Sequence, residues 1–481
     1  MLFNSIEFAF FFPVVTAVYF LLPQRWRTLW LLAASCVFYM AFIPAYIFIL
    51  LVTILIDYAA GIYIERASEE GRKHALLLVS IISTCTVLFI FKYCAFFVDS
   101  FVGAAHLIGW NLPTPLISII LPIGLSFHTF QSLAYVVEVY RGNQKAERDF
   151  VTYATYVMFF PQLVAGPIER PQNLLHQFRE RHTFDHVNVT AGLKRMAWGF
   201  FKKLVVADRL ALYVNDVYGA PQNYNGLQLS VATVFFAYQI YCDFSGYSDI
   251  AIGAAQVLGF RLMENFRTPY YSLSVSEFWR RWHISLSTWF KDYVYIPLGG
   301  KRVGKARHIL NLLITFTVSG LWHGANWTYV IWGALNGVYL VLGSLTKSWR
   351  DRFFAIFDLN ANTVSRRTIM LLSTFVLTCA AWIVFRARNM GDVAYIAGHL
   401  GRGWNFHQLS TDHFLLRQFP VAVASLVVLE AGQLLQGGRI SIPQFVGRAP
   451  MAARWAVYIG MVMTVVMFGV YRKMQFIYFQ F

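Results

Sequence analysis

Long apolar runs recur along the whole chain, and they constrain its fold more than any other feature. A run of about 18 residues or more can cross a bilayer as a helix, and a helix satisfies its backbone hydrogen bonds within the segment. Charged residues are 13% of the 481 residues, about half of what soluble proteins carry. We therefore predict an all-α, polytopic membrane protein with roughly 10–12 membrane helices, plus re-entrant and interfacial helices, in a single domain over residues 1–481.

Two segments do not fit a simple membrane span. Residues 151–167 are interrupted by proline and glycine, which predicts a re-entrant hairpin covered by protein. Residues 190–216 mix basic and apolar positions, so we expect them at the cytoplasmic interface. The segments expected to cross the membrane are 8–22, 28–43, 46–64, 75–97, 115–137, 309–321, 328–345, 412–435 and 451–471.

The formal net charge of +16 suits either a nucleic-acid partner or a membrane protein with basic cytoplasmic loops. The basic residues fall in short clusters between apolar runs, as the positive-inside bias produces. We therefore predict a lipid bilayer and no nucleic acid as partner, with the N-terminus outside the cytoplasm. Residues 1–11 lack a basic start and a small-residue cleavage site, so no cleaved leader is expected.

Several common kinds of site are excluded by the motifs. The five cysteines form no CxxC pair, which argues against a disulfide framework and a structural zinc site. His283, His323 and Asp243 could supply metal ligands, but no local spacing such as HExxH supports them, so we predict no metal. The sequence has no glycine-rich phosphate loop and no GxSxG motif, which excludes ATP-driven transport and ordinary serine hydrolase chemistry.

His323 stands between two long apolar runs, in the stretch SGLWHGANW. It lies 16 residues after Arg307, the last basic residue of a predicted cytoplasmic loop, or about 24 Å along a helix. A histidine at that depth is costly unless it has a partner or faces a cavity, so it marks a functional site. Gly320 and Gly324 suit a close backbone approach or a turn. The alternative is a polar contact between two helices.

A second histidine lies in the stretch EFWRRWHISLSTWF. Trp279, His283, Leu286 and Phe290 have the spacing of one helical stripe, which predicts a continuous helix. About 15 residues are too few to cross a bilayer, so this helix is expected to be interfacial or re-entrant. The alternative for His283 is a purely structural role on an aromatic face.

Two carboxylates, Asp243 and Asp249, interrupt a long apolar run and need partners if they are buried. Arginines such as Arg280 and Arg281 are the candidate partners. A buried polar network and a substrate-binding role both remain open for these aspartates. The same two alternatives apply to His128 and Glu169, for which we favour the structural one.

Several long motifs follow one another in order: FPQLVAGPIERP, YCDFSGYSDIAIG, ENFRTPYYSLSVSEFWRRWHISLSTWFKDYVYIPLGG, SGLWHGANWTYVIWG and FIYFQF. Together they resemble the membrane-bound O-acyltransferase family, and within it the branch that O-acetylates bacterial polysaccharides such as alginate. The similarity covers nearly all of the chain and is densest over residues 159–337. It implies a funnel-shaped helical body with a narrow central passage.

The resemblance also implies an activity and its partners. His323 corresponds to the family's principal histidine and His283 to a second, supporting one. The implied donor is acetyl-CoA on the cytoplasmic side of a bacterial inner membrane, with no tightly bound cofactor. The implied route passes the acetyl group to a periplasmic SGNH-like partner and then to an exopolysaccharide. In a bacterial inner membrane, an N-terminus outside the cytoplasm lies in the periplasm.

Acyl transfer needs a base near the attacking oxygen and donors near the developing oxyanion. Trp322, Asn326 and backbone N–H groups near Gly324 are candidate oxyanion donors. Cationic side chains suit the phosphates of CoA, with Lys291 and Arg302 among them. The candidate residues for binding substrate or acyl-CoA are Trp322, Asn326, Arg280, Arg281, Trp282, Asp243, Tyr238 and Gln162.

Other functions remain open from the sequence. Peptidoglycan or cellulose could be the polymer acetylated by the same mechanism. A transporter or flippase would need no acyl-transfer chemistry, but its usual sign, paired repeats with matching broken helices, is not found in the sequence. A scaffold that only recruits a periplasmic enzyme is the third alternative.

Overall fold

The computed structural model describes residues 1–113, 119–360, 363–405, 413–437, 450–471 and 476–477. Every regular element within these ranges is helical, which confirms the all-α prediction. The chain divides into two compact units. The first comprises Met1–Met196 and Ile250–Met263, and the second comprises Ala197–Asp249 and Glu264–Phe481. The single membrane-embedded domain over residues 1–481 and its central passage stay predictions.

The first unit is built from long helices followed by short ones. Its helices are Ile6–Leu21, Gln24–Met40, Tyr46–Arg66, Glu70–Leu88, Cys94–Leu107, Leu125–Tyr140, Phe150–Met158, Pro171–Leu174 and most of His186–Phe200, with a π-helical turn at Phe89–Tyr93 and a 3₁₀ turn at Leu175–Phe178.

The helix Leu125–Tyr140 is buried on nearly all sides and holds this unit together. It packs against Tyr46–Arg66 and Glu70–Leu88, and the seam between them is polar. The carboxylate of Asp57 accepts hydrogen bonds from three hydroxyl groups, those of Ser80, Thr84 and Ser132. Buried carboxylates need such donors because burial without them is costly.

The second unit contains both histidines that the sequence analysis singled out. Its helices are Asp208–Gly219, Gly226–Val257 (whose last turns belong to the first unit), Val275–Arg281, Ile284–Phe290, Lys305–His323, Trp327–Leu345, Lys347–Ile356, Val364–Arg386, Met390–His399, His413–Gly437 and Met451–Phe468, with π-helical turns at Phe201–Ala207 and Lys291–Tyr295 and 3₁₀ turns at Pro221–Asn223 and Pro269–Tyr271.

Six helices of the described residues are long and apolar enough to cross a membrane. This supports a multi-pass membrane protein, although length and composition alone select fewer than the 10–12 helices expected. Several other expected spans are helices that are shorter or more polar, such as Gln24–Met40 and Lys305–His323. The six are Tyr46–Arg66, Glu70–Leu107, Trp327–Leu345, Val364–Arg386, Gln418–Leu435 and Met451–Phe468.

Two local predictions differ from the structure, and a third is not tested by it. The helix expected to end near residue 97 continues to Leu107. In the return segment expected over 115–137, the described residues begin at 119 and are helical from Leu125. Gly124, which precedes this helix, adopts a left-handed conformation with a φ of 78°. Residues 151–167 form a buried helix, Phe150–Met158, followed by buried turns, and a re-entrant path for them stays a prediction.

The segment 190–216, expected at the cytoplasmic interface, is largely buried from Phe201 onward. Lys202 and Lys203 are 4% and 6% exposed. This part of the segment is therefore packed inside the protein, and its position at the cytoplasmic interface stays a prediction. Both lysines can be buried because each is paired with an aspartate, Lys202 with Asp249 and Lys203 with Asp243.

Candidate active site

His323 is the last residue of the helix Lys305–His323, which forms an antiparallel hairpin with Trp327–Leu345. The two helices approach each other closely because glycines, Gly320 and Gly333, face each other where the helices cross. A Cβ atom on Gly320 would lie 2.2 Å from the carbonyl oxygen of Tyr329, and the Cα of Gly333 lies 2.9 Å from the same position. This confirms the close backbone approach predicted at Gly320.

The imidazole of His323 lies among aromatic rings and is 4% exposed. Its centroid is 5.0 Å from that of Trp322, 5.0 Å from that of Trp332 and 5.6 Å from that of Phe385, with interplanar angles between 77° and 89°. Rings in edge-to-face contact at these distances hold one another in place. The chain thus fixes this histidine at the end of a helix in largely apolar surroundings.

His283 does not lie within a continuous helix, contrary to the prediction from its spacing. The helix Val275–Arg281 ends before it, and Ile284–Phe290 begins after it. His283 itself has a φ of 42°, in the left-handed region that non-glycine residues seldom adopt. The predicted stripe through Trp279, His283, Leu286 and Phe290 is therefore broken at the histidine.

Asn265 holds this break through both its backbone and its side chain. Its carbonyl oxygen accepts from the N–H of Ile284 at 2.9 Å. Its Oδ1 lies 3.1 Å from Nδ1 of His283 and accepts from the N–H of Ser285 at 3.3 Å and from its hydroxyl at 3.0 Å. Its Nδ2 donates to the hydroxyl of Ser248 at 3.3 Å.

The ring of His283 is completely buried and packed by phenylalanines. The centroid of Phe244 is 4.5 Å away at an interplanar angle of 88°, and Phe266 is stacked at 6.5 Å. His283 lies outside the six candidate spans. Burial, and after it the neighbouring charge of His323, lower the pKa of His283 well below its usual range, so the imidazole is neutral near pH 7.

Trp322 contacts both histidines. Its ring centroid lies 5.0 Å from that of His323 and 6.3 Å from that of His283. Trp282 is also part of the assembly, because it packs at 5.1 Å against Phe266. The structure thus brings together four of the residues selected from sequence. A neutral imidazole in such surroundings can accept a proton from a hydroxyl group.

Tyr238 lies farther from the histidines within the same aromatic core. Its ring packs at 5.8 Å against Tyr270, which in turn packs at 6.1 Å against Trp282. A contribution of Tyr238 to substrate binding stays a prediction.

Asp243 and Asp249 have buried lysine partners, and the pairing considered with Arg280 or Arg281 is wrong. Asp243 pairs with Lys203 at 2.7 Å, and Asp249 pairs with Lys202 at 2.5 Å. Arg281 instead pairs with Glu277, one turn earlier on its own helix, at 2.6 Å. Both lysines belong to the π-helical turn Phe201–Ala207.

Asp243 also anchors the C-terminal part of the chain. Its Oδ2 accepts from the backbone N–H of Ile477 at 2.8 Å. Phe476 packs against Phe244 at a centroid distance of 6.0 Å, and Phe244 contacts His283. The described part of the terminal FIYFQF motif is therefore buried beside the site.

The other candidates are more exposed. Arg280, Lys291 and Arg302 are exposed and Arg281 is half-buried, as expected for groups that meet a charged ligand. Asn326 is exposed and caps the helix Trp327–Leu345, with its Oδ1 accepting from the N–H of Thr328 at 3.0 Å. This capping bond uses the amide oxygen, and the amide nitrogen, the only donor of this side chain, is not part of it.

Gln162 lies in the first unit, where it is buried and donates to the carbonyl oxygen of Tyr156 at 2.8 Å. His128 and Glu169 also lie there with structural partners. His128 is 2.6 Å from the hydroxyl of Thr53, and Glu169 accepts from the N–H of Met263. Burial raises the pKa of Glu169 to about 7. A substrate role for Gln162 stays a prediction.

Metal ligands are not grouped in the described part of the chain. No three His, Cys, Asp or Glu side chains there come close enough together to hold an ion.

Sequence reasoning missed several residues of the site. Asn265 stands inside the ENFRTP motif, and a buried asparagine in a loop is a usual sign of a pinned turn. Lys203 is one of two adjacent lysines in an otherwise apolar stretch, which signals buried partners. No sequence feature distinguishes Trp332 and Phe385, because aromatic residues are common in apolar helices.

Residues 147–385 match the family model of the membrane-bound O-acyltransferase family (MBOAT). The chain is also similar to curated relatives over most of its length, which includes the motifs around both histidines. The chain belongs to this family and is a multi-pass membrane O-acyltransferase, which confirms the resemblance.

Three relatives illustrate the similarity. The chain is 39% identical to the probable alginate O-acetylase AlgI of Pseudomonas syringae pv. tomato, over 83% of this chain and 74% of the relative. It is 33% identical to the peptidoglycan O-acetyltransferase of Helicobacter pylori, over 81% of this chain and 78% of the relative. The teichoic acid D-alanyltransferase of Bacillus subtilis is more distant, at 24% identity over 55% of this chain and 69% of the relative.

Proposed function

We propose that this protein takes acetyl groups from acetyl-CoA on the cytoplasmic side of a bacterial inner membrane and passes them across for O-acetylation of an exopolysaccharide of the alginate type. The observation that carries the proposal is the similarity to probable alginate O-acetylases over more than four fifths of the chain. The N-terminus is periplasmic in this proposal. The last acceptor is reached through a periplasmic SGNH-like partner.

The chemistry assigns His323 as the general base and acid and His283 as its assistant. The acyl carbon loses its bond to the sulfur of CoA and gains a bond to a hydroxyl oxygen. The hydroxyl proton passes to the imidazole and from there to the departing thiolate, so the histidine ends the cycle as it began. Aromatic walls around His323 support this role because they exclude water, which would otherwise hydrolyse the acetyl donor.

The decisive experiment is acetyl transfer from radiolabelled acetyl-CoA by membranes that contain the protein. His323→Ala is expected to lower transfer by about 100-fold or more at unchanged protein level. His308→Ala is the matched control, because His308 lies near the start of the same helix and is half-buried. Near-normal transfer by His323→Ala, or none by the wild type, would contradict the proposal and leave a transporter or scaffold as the better reading.

The acceptor has two candidates, because a peptidoglycan O-acetyltransferase is also among the relatives. In cells that make both polymers, the label released by alginate lyase is expected to exceed the label released by a muramidase. The reverse result would assign the protein to peptidoglycan. Deletion of the periplasmic partner is expected to abolish labelling of the polymer while the membranes still consume acetyl-CoA.

The exposed cations Arg280, Lys291 and Arg302 are proposed to bind the phosphates of CoA, with Arg281 beside them. Arg280→Ala is expected to raise the KM for acetyl-CoA and leave kcat unchanged, because the phosphates do not take part in the reaction. The effect should disappear with acetyl-dephospho-CoA if Arg280 meets the 3′-phosphate. An unchanged KM in the Arg280, Lys291 and Arg302 variants would remove these residues from the donor site.

A further inference from the structure

The strained position of His283 needs an explanation, because the chain holds a bulky residue at a φ of 42°. Such a conformation is strained for a residue with a side chain and persists only where neighbours enforce it. Here the neighbour is Asn265, which accepts the N–H of Ile284 with its carbonyl oxygen and reaches the imidazole with its side chain. The bend in the backbone coincides with a distance of 3.1 Å between Nδ1 of His283 and Oδ1 of Asn265.

The orientation of the Asn265 amide follows from its partners. The atom that faces His283 also accepts from the backbone N–H of Ser285 at 3.3 Å. A backbone N–H can only donate, so this atom is the amide oxygen and not the nitrogen. The opposite end of the amide, its nitrogen, donates to Ser248 at 3.3 Å.

The tautomer of His283 follows in turn. Nδ1 lies 3.1 Å from an atom that is an acceptor only, so Nδ1 must carry the proton. The other ring nitrogen, Nε2, then presents a lone pair, since a neutral imidazole has one proton. A ring with the proton on Nε2 would bring two acceptors together at Nδ1.

We propose that Asn265 is a positioning residue that holds His283 as the Nδ1–H tautomer, with Nε2 presented as a proton acceptor in the acyl-transfer site. This inference rests on the proposed function for its catalytic consequence. It assigns the second histidine a defined role, because an imidazole of the opposite tautomer would present an N–H at Nε2 and could not take up a proton there. Asn265 acts through His283 and need not touch the substrate.

The catalytic test compares three variants in acetyl transfer from acetyl-CoA. Asn265→Leu is expected to lower kcat by about 100-fold and to leave the KM for acetyl-CoA unchanged. Asn265→Asp keeps acceptors toward Nδ1 and Ser285, so it is expected to restore most of kcat. Ser248→Ala is the matched control, because it removes the partner at the far end of the same amide and does not affect the tautomer. The proposal would be overturned if Ser248→Ala and Asn265→Leu lowered kcat equally, or if Asn265→Leu left kcat unchanged.

The tautomer of His283 can be determined without measuring acetyl transfer. In protein labelled with ¹⁵N-histidine, the signals that disappear in His283→Gln belong to His283. They are expected to show a protonated Nδ1 in the wild type and in Asn265→Asp, and a proton on Nε2 in Asn265→Leu. An Nε2–H signal in the wild type would refute the positioning role. Failure of the wild type to use acetyl-CoA would refute only the proposed function, because this spectrum would still decide the tautomer.

Discussion

The indole Nε1 of Trp279 donates to Oδ1 of Asn336 at 3.3 Å, and this bond joins the segment that carries His283 to the helical hairpin that carries His323. The amide nitrogen of Asn336, Nδ2, donates to the carbonyl oxygen of Trp332 at 2.8 Å. One amide therefore connects the two histidine motifs, which are far apart in sequence. The relative position of the imidazoles depends on such contacts and not on either motif alone.

Trp279→Phe should test this connection with little change in packing. The phenylalanine ring would keep the contacts with Phe316 and Trp332, but Oδ1 of Asn336 would lose its donor. A buried acceptor without a partner costs about 1–3 kcal/mol. We expect a lower midpoint of thermal unfolding in detergent and reduced acetyl transfer. Trp349→Phe, at an exposed position, is the control, and equal behaviour of the two variants would contradict the role of the bond.

The glycine crossing of the hairpin offers a second test. Gly320→Ala would place a Cβ 2.2 Å from the carbonyl oxygen of Tyr329, so the two helices must separate at a cost of about 1–3 kcal/mol. His323 lies one turn away, and we expect both stability and transfer to fall. Gly343→Ala lies in the partner helix with nothing within 4 Å of its Cβ. It is expected to be neutral or stabilising by up to about 1 kcal/mol.

Lys203 is expected to be indispensable for folding. It pairs with Asp208 at 2.8 Å and with Asp243 at 2.7 Å, and Lys203→Met would leave two buried carboxylates without their cation. Removal of one partner from a buried ion pair costs about 3–5 kcal/mol, so the variant should be poorly recovered from membranes. Lys73→Met removes a surface pair with Glu70 and should cost at most about 1 kcal/mol. Normal recovery and stability of Lys203→Met would contradict the assignment.

The lowered pKa of His283 predicts a pH dependence of stability. Above the unfolded value of 6.5 the histidine is neutral in both states and contributes no pH dependence. Below 6.5 the unfolded chain binds a proton on this residue and the folded protein does not, so the free energy of unfolding falls as the pH falls. The slope reaches about 1.4 kcal/mol per pH unit.

The measurement compares unfolding between pH 7 and pH 5 for the wild type and His283→Gln. The variant is expected to show the shallower decline, because it has no imidazole to protonate at this position. His176→Gln, at an exposed position, should decline as steeply as the wild type. Identical slopes for the wild type and His283→Gln would mean that His283 does not remain neutral in the folded protein.

The sequence by itself determined the class of this protein. Apolar runs specify membrane helices because a bilayer leaves a backbone few other ways to satisfy its hydrogen bonds. The glycines around His323 indicated a close turn, and the structure has that turn. The motifs identified the family and both histidines, since these features are local in the chain.

Only the tertiary structure decided how the site is assembled. Helical spacing predicted a continuous helix through His283, but Asn265, 18 residues earlier, breaks it by hydrogen bonds. Charge alone suggested arginines for Asp243, but its partner in the structure is Lys203, at 2.7 Å. Sequence patterns report what each segment prefers locally, whereas a buried polar group takes the partner that folding brings within about 3 Å. That choice depends on residues distant in the chain, and no local pattern records it.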